Sequence, residues 1–208
     1  MTNRCSVFIA TSLDGFISRD DGSIDWLHAA NAVVPQGEDC GYATFMSTID
    51  ALVMGRNTFE QALSFEDWPY GSTPVFVLSR TLRALPRPTP STVSLTADAP
   101  TILVKRLAEQ GHRHLYIDGG LTIQSFLAAN LIAEMTITVI PVLLGTGKPL
   151  FGPLQGDVHL DLISSKAYPF GFVQNKYMLI TSAPPAPSGT DIARQATNVP
   201  ASHEGPPR

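Results

Sequence analysis

Residues 50–63 read DALVMGRNTFEQAL, in which an apolar run stops at Gly55 and Arg56 and a helical pattern begins at once. A strand that passes directly into a helix leaves the first-turn N–H groups unpaired and pointing outward, with the positive end of the helix dipole behind them. Such a junction is a ready anion site. Gly55 allows close backbone approach, Asn57 or Thr58 can cap the helix or donate to a phosphate, and Arg56 adds charge. An ordinary capped turn between strand and helix has the same local pattern, so the function of this junction depends on what the rest of the chain brings to it.

Outward from this stretch, short apolar, β-branched runs alternate with helical patterns. The runs are CSVFIA (5–10), ALVMG (51–55), PVFVLS (74–79), STVSL (91–95), HLYID (114–118), EMTITVIPVLL (134–144), VHLDLISS (158–165) and FVQNKYMLITS (172–182). That rhythm predicts an α/β fold with crossover helices around a mostly parallel sheet. The last three runs have no helix between them and are expected to finish the sheet with antiparallel pairing. The clearest helix is DAPTILVKRLAEQG, with Asp98 as its expected cap and Pro100 in its first turn. Ala99, Leu103 and Leu107 form its apolar face, and Gly111 terminates it. A second amphipathic helix, TIQSFLAANLI, turns Ile123, Phe126, Leu127 and Leu131 inward.

The 208 residues, 44% of them apolar, are enough for one domain with a sizeable core. A net charge of −4 provides no basic field to neutralise a phosphate backbone, so nucleic acid is not an expected partner. The opening MTNRCSVFIATSLDG has too short an apolar core for a signal peptide or a membrane span, which makes a cytoplasmic location the expectation. Cys5 and Cys40 lack a paired-ligand spacing and read as reduced structural thiols. His112 and His114 alternate without a third ligand and read as the entry to a strand, so no metal is expected. No Ser-His-Asp signature or nucleophile elbow occurs, which disfavours hydrolysis. From Ala183 the chain becomes proline-rich with scarcely any large apolar residue. Residues 1–182 are therefore the expected domain and 183–208 a disordered tail.

Two further strand ends repeat the opening pattern. TPVFVLSR ends at Ser79 and Arg80, where a hydroxyl and a guanidinium suit a second phosphate. HLYIDGGLTIQSF passes through Gly119 and Gly120 into a helix, and paired glycines let a planar ligand lie on the backbone. Three such ends suggest one dinucleotide, although no Gly-x-Gly-x-x-Gly fingerprint occurs at the first strand-to-helix turn.

TSLDGFISRDDGSIDWL, ALVMGRNTFE, VLSR and YIDGGLTIQSFLAANLIAEMTITVIPVLLGTGKPLF together resemble the dihydrofolate reductase-like superfamily. Within it the chain is similar to the reductase domain of the bacterial bifunctional riboflavin-biosynthesis deaminase-reductase, from roughly Cys5 to Ser182. The resemblance implies a three-layer αβα sandwich that binds NADPH. Gly55, Arg56, Asn57 and Thr58 would hold the cofactor phosphates, and Ser79 and Arg80 the adenosine 2′-phosphate. Gly119 and Gly120, joined by a cis peptide and followed by Leu121 and Thr122, would lie beneath the pyrophosphate and nicotinamide. It also implies a lid from Ser12 to Trp26, organised by Asp14, that excludes water during hydride transfer. Trp26 would pack over a ring or anchor the lid. A homodimer through the late strands around Ile137 to Leu144 is a further implication.

Hydride transfer to a C=N bond needs a proton for the nitrogen. Family spacing places the acid at Asp39, within PQGEDCGYATFMSTID, and its threonine partner at Thr138. Glu38 can exchange roles with Asp39, since one helical position rotates a side chain by about 100°. In an apolar pocket the carboxyl would have its pKa raised; the alternative is a helix-capping acid. Thr73 and Pro74 stand where folate enzymes place a clamping arginine. Ala43 replaces an aromatic residue, with Tyr42 and Phe45 nearby. Lys148, in LLGTGKPLF, is one candidate cation for a ribose phosphate. The reading is an NADPH-dependent reductase of a small heterocycle, pterin or aminopyrimidine-like. A non-catalytic NADP-binding or assembly module is the alternative, and a plain α/β domain whose glycines are merely turns is the third.

Overall fold

A computed structural model describes residues 3–180; the tail expected over 183–208 lies outside the described residues. In chain order the elements are β1 (Arg4–Ser12), β2 (Phe16–Ser18), α1 (Asp25–Asn31), α2 (Tyr42–Met46), β3 (Ala51–Gly55) and α3 (Arg56–Leu63). There follow β4 (Val75–Leu78), β5 (Val93–Thr96), α4 (Pro100–Glu109), β6 (His114–Asp118) and α5 (Gly120–Ala128), then β7 (Ile132–Ile140), β8 (Lys148–Pro149), β9 (Leu160–Ala167) and β10 (Val173–Leu179). Every apolar run identified in the sequence contributes a strand to one eight-stranded sheet, ordered β5-β4-β3-β6-β1-β7-β10-β9. The six strands from β5 to β7 are parallel, and β10 runs antiparallel to both β7 and β9.

Strands β3 and β4 are buried on both faces, which is why Leu52, Val53, Met54, Val75 and Val77 read as unbroken apolar runs. One face of the sheet is covered by α4 and α5, through Leu103, Leu107, Ile123, Phe126 and Leu127. The other carries α2 and α3, with Phe59 buried and Tyr42 and Phe45 packed alongside. Trp26 of α1 anchors a third cluster with Ile140, Tyr168 and Phe172. These three layers are the αβα sandwich expected from the resemblance.

Helix α4 runs from Pro100 to Glu109 and is terminated by Gly111, whose φ of +95° lets His112 N–H reach the Leu107 carbonyl at 3.0 Å and Gly111 N–H the Ala108 carbonyl at 3.1 Å. Asp98 does not cap this helix. Ala99 is the capping residue, and the Asp98 carboxylate instead accepts from Arg106 Nε at 2.9 Å, an ion pair that ties the last turn back to the loop before the first. Of the range expected at a dimer face, Ile137 to Leu144, Ile137 and Ile140 lie in β7, whereas Leu143 beyond it is 69% exposed. Strand β7 lies inside the sheet between β1 and β10, and both isoleucine side chains are buried.

Strand β7 carries one buried acid, Glu134. Burial pushes its carboxyl up, but hydrogen bonds from Arg4 and Lys176 outweigh that and hold it below the usual range. Ser6 also donates to it at 3.1 Å and meets His114 Nε2 at 2.7 Å. Cys5 and Cys40 are free thiols, and burial pushes Cys5 up to about 12. No helix among the described residues is long and apolar enough to cross a membrane.

Candidate active site

The parallel strands point their carboxyl ends to one edge of the sheet, and there a cleft of about 1370 Å³ opens between the lid and the starts of α3 and α5. Ligands of open α/β sheets gather at this edge. All ten residues assigned from sequence to the cofactor line it: Gly55 to Thr58, Ser79 with Arg80, and Gly119 to Thr122. Strand β3 lies between β4 and β6. With neighbouring strands ~4.8 Å apart, Ser79 and the Gly119 turn are separated by roughly 10 Å. That separation suits an extended dinucleotide better than a single phosphate.

The two helix starts interlock. A Cβ on Gly119 would lie 2.2 Å from Thr58 Oγ1, and one on Gly55 would lie 3.0 Å from Thr122 Oγ1. Each helix thus uses a threonine of its first turn to fill the space left by the glycine that precedes the other. Neither α3 nor α5 has a side-chain cap, so Asn57 and Thr58 do not serve as caps. The first-turn N–H groups of both helices therefore border the same cleft with no side chain bonded to them among the described residues, which is the arrangement that receives an anion. The Gly119–Gly120 peptide is trans, contrary to the expectation from the resemblance; Gly119 makes the turn with φ +87° and ψ 136°.

The cationic side chains of the cleft differ in availability. Arg56 is paired with Glu60 at 3.2 Å on the exposed face of α3. Arg80 is exposed and forms no ion pair among the described residues. Its neighbour Ser79 accepts the Leu82 N–H at 3.0 Å, which fixes the turn that presents the guanidinium. The lid joins the fold through Asp14. Its carboxylate accepts from the Ser12 hydroxyl at 2.6 Å and from the N–H groups of Leu144 and Gly145 at 3.1 and 2.7 Å. These bonds, the Ser12 hydroxyl foremost, hold Asp14 below the usual carboxylate range. Trp26 serves as a buried anchor and does not line the cleft.

The two residues expected to carry the chemistry stand elsewhere. Asp39 is exposed and accepts from the N–H groups of Ala43 at 2.7 Å and Gly41 at 2.8 Å, capping the start of α2. Those bonds, from Ala43 first and Gly41 second, lower its pKa, the opposite of the rise that a proton donor needs. Glu38 is likewise engaged, accepting Cys40 N–H at 2.7 Å. Thr138 is buried and meets Gln174 Nε2 at 2.9 Å; the same nitrogen donates to the Cys40 carbonyl at 2.9 Å. Thr138 thus braces the chain before α2 and is not paired with Asp39. Tyr42 and Phe45 pack on the Phe8 ring at 5.6 and 5.0 Å.

An acid that sequence reasoning passed over does line the cleft. Asp118, the last residue of β6, is half-buried and accepts Gly119 N–H at 2.8 Å. Burial pushes its carboxyl up to about 6, only partly offset by the Gly119 N–H and the hydroxyls of Tyr70 and Tyr116. The sequence signal was an acid immediately before a glycine pair at a strand end. Tyr70 also lines the cleft, from a loop with no periodic pattern to mark it. Toward β1 the walls are apolar, formed by Ile9, Ala10, Ile17, Ile24 and Leu27. The cleft therefore joins uncapped helix starts to an apolar wall, and of the carboxyls that line it Asp118 is the one whose pKa burial raises.

The family model described as RibD C-terminal domain matches residues 5–173. A crystal structure of a putative riboflavin biosynthesis protein from Shewanella sp. PV-4 is 44% identical, with a TM-score of 0.80 over 85% of this chain and 99% of that one. The uncharacterized protein YwjB of Bacillus subtilis (strain 168) is 33% identical over 171 residues, 81% of this chain and 94% of its own length. A Thermotoga maritima diaminohydroxyphosphoribosylaminopyrimidine deaminase/5-amino-6-(5-phosphoribosylamino)uracil reductase shares the fold at 12% identity, with a TM-score of 0.65 over 86% of this chain and 57% of that longer one.

Proposed function

The chain belongs to the RibD C-terminal domain family, and from that premise we propose that it is an NADPH-dependent reductase acting on a small pterin or aminopyrimidine-like heterocycle. The observation that carries this reading is the pair of uncapped, interlocked helix starts with Ser79 and Arg80 at the neighbouring strand end, Arg80 forming no ion pair among the described residues. The residues fit the cofactor. First-turn N–H groups of α3 and α5 receive the phosphates, Arg80 and Ser79 the 2′-phosphate, and the Gly119–Gly120 turn supports the nicotinamide end. When bound, NADPH supplies the hydride. Asp118 holds the proton and orients the ring edge, and the apolar wall from Ile9 to Leu27 excludes water around it. Asp39 and Thr138 act at one remove by fixing the entry to α2. Two free thiols are in keeping with a reducing cytoplasm.

Replacing Arg80 by alanine removes a charge-assisted contact of about 1.5–3 kcal/mol, so NADPH affinity should fall roughly 10- to 100-fold while NADH affinity stays unchanged. Fluorescence titration of the purified protein with both nucleotides measures this, and an equal loss for both would sink the 2′-phosphate assignment. The low pKa of Asp39 favours one second reading, a nucleotide-binding module without turnover. NADPH binding with no oxidation against dihydropterins and aminopyrimidines would select it.

The reductase is further proposed to be a homodimer through the open edge of the sheet. Strand β9 is exposed along its whole length, with Leu162 58% and Ile163 51% accessible, and an uncovered apolar edge invites pairing. Sedimentation equilibrium should give twice the chain mass, and Leu162→Lys should halve it. A monomeric wild type refutes the edge assignment.

A further inference from the structure

Lys148 is a cation of the cleft that the cofactor contacts above leave unused. It lies on β8, which pairs antiparallel with the lid strand β2 in the register Ser18↔Lys148. The residue is half-buried, lines the cleft, and forms no ion pair among the described residues. Its ammonium is lodged under the lid turn, because a Cβ built on Gly22 would stand 3.0 Å from Nζ. The nearest lid acid that shares the cleft, Asp21, accepts Ser23 N–H at 2.8 Å and is not paired with the lysine.

The strand that carries Lys148 also crosses the start of α5. The Pro149 carbonyl lies 3.4 Å from the Cβ position of Gly120 and accepts Gln124 Nε2 at 3.1 Å, while Ile17 of the paired lid strand comes within 2.8 Å of the same Cβ position. A half-buried ammonium without a counter-anion is unfavourable unless an anion arrives. The same cleft presents the uncapped first-turn N–H groups of α5 and, interlocked with them, α3.

We propose that Lys148 completes a pyrophosphate site, its ammonium reaching from β8 toward the phosphates seated on the first turns of α3 and α5, so that dinucleotide binding steadies the pairing of β2 with β8. The inference rests on the NADPH reading. A contact to the pyrophosphate is shared by NADPH and NADH, whereas the contact from Arg80 is not. This difference separates the two cations experimentally.

The test titrates the full-length wild type, Lys148→Met and Lys148→Arg with NADPH and NADH. The expected result is that Lys148→Met weakens both nucleotides by the same factor, roughly 10-fold or more, leaves their ratio unchanged, and is largely rescued by arginine. Hydrogen exchange adds a second readout: amides of Phe16–Ser18 should gain protection on NADPH addition in the wild type and not in Lys148→Met. Unchanged binding of both nucleotides in Lys148→Met overturns the inference alone. So does a variant that binds both normally but loses turnover of a phosphate-bearing aminopyrimidine, since the cation then serves the substrate. A wild type that binds neither nucleotide overturns the reductase reading and this inference together.

Discussion

Asp118→Asn should lower turnover by about 10²–10⁴-fold, the range a positioned general acid contributes, while making the protein more stable at neutral pH. The two effects have one cause. Burial moves the Asp118 carboxyl from the ordinary 3.8 up to about 6. Between those values the unfolded chain has released a proton that the folded chain retains, so stability is full below pH 4 and declines as pH rises through 6. Asparagine removes that loss and can still accept the Gly119 N–H. The variant should therefore match the wild type near pH 4 and exceed it by about 3 kcal/mol above pH 6. In the wild type kcat/KM should fall about tenfold per pH unit above 6 as the acid is lost; the residual rate of the variant should be flat there. Denaturant midpoints across pH 4–8 measure the first effect. Parallel midpoint curves for the two proteins would show that Asp118 is not the strained acid, whatever the kinetics.

Gly119→Ala should abolish nucleotide binding and destabilise the fold by roughly 2–4 kcal/mol, whereas Gly120→Ala next to it should be far milder. At Gly119 two costs coincide. Its φ of +87° is one that L side chains rarely adopt, and the added Cβ would meet Thr58 Oγ1 at 2.2 Å. Thr58 belongs to the first turn of α3 and cannot retreat without opening the cradle. At Gly120 the closest obstacle is Ile17 Cδ1 at 2.8 Å, the far end of a flexible side chain. Adding Thr58→Ala to Gly119→Ala should recover part of the stability, the part due to collision, but not the backbone strain. A double-mutant cycle with coupling near zero would refute the interlock between the helix starts.

The strands and main helices were legible in the sequence because their causes are local. Runs such as Ala51–Gly55 and Val75–Leu78 are β-branched or aliphatic throughout, and the spacing of Ile123, Phe126 and Leu127 marks one helical face. The glycines at the strand-to-helix turns, Gly55 and Gly119, were legible for the same reason, although an ordinary turn has the same local pattern. Local pattern was misleading where a distant partner competed. Asp98 looks like a cap until Arg106 takes its carboxylate. Asp39 has the spacing of a catalytic acid, yet the N–H groups of Gly41 and Ala43 claim both of its oxygens.

Sequence by itself therefore determined the α/β class, the strands, and the three strand ends that meet at the cleft, because hydrophobic period and glycine placement act over a few residues. Only the tertiary structure decided that Thr58 fills the space at Gly119 and Thr122 the space at Gly55, that β7 is an interior strand, and that burial raises the pKa of Asp118 at the cleft. Those outcomes depend on which surfaces the fold brings together and on how far each carboxyl is withdrawn from water, quantities set by residues distant in the chain.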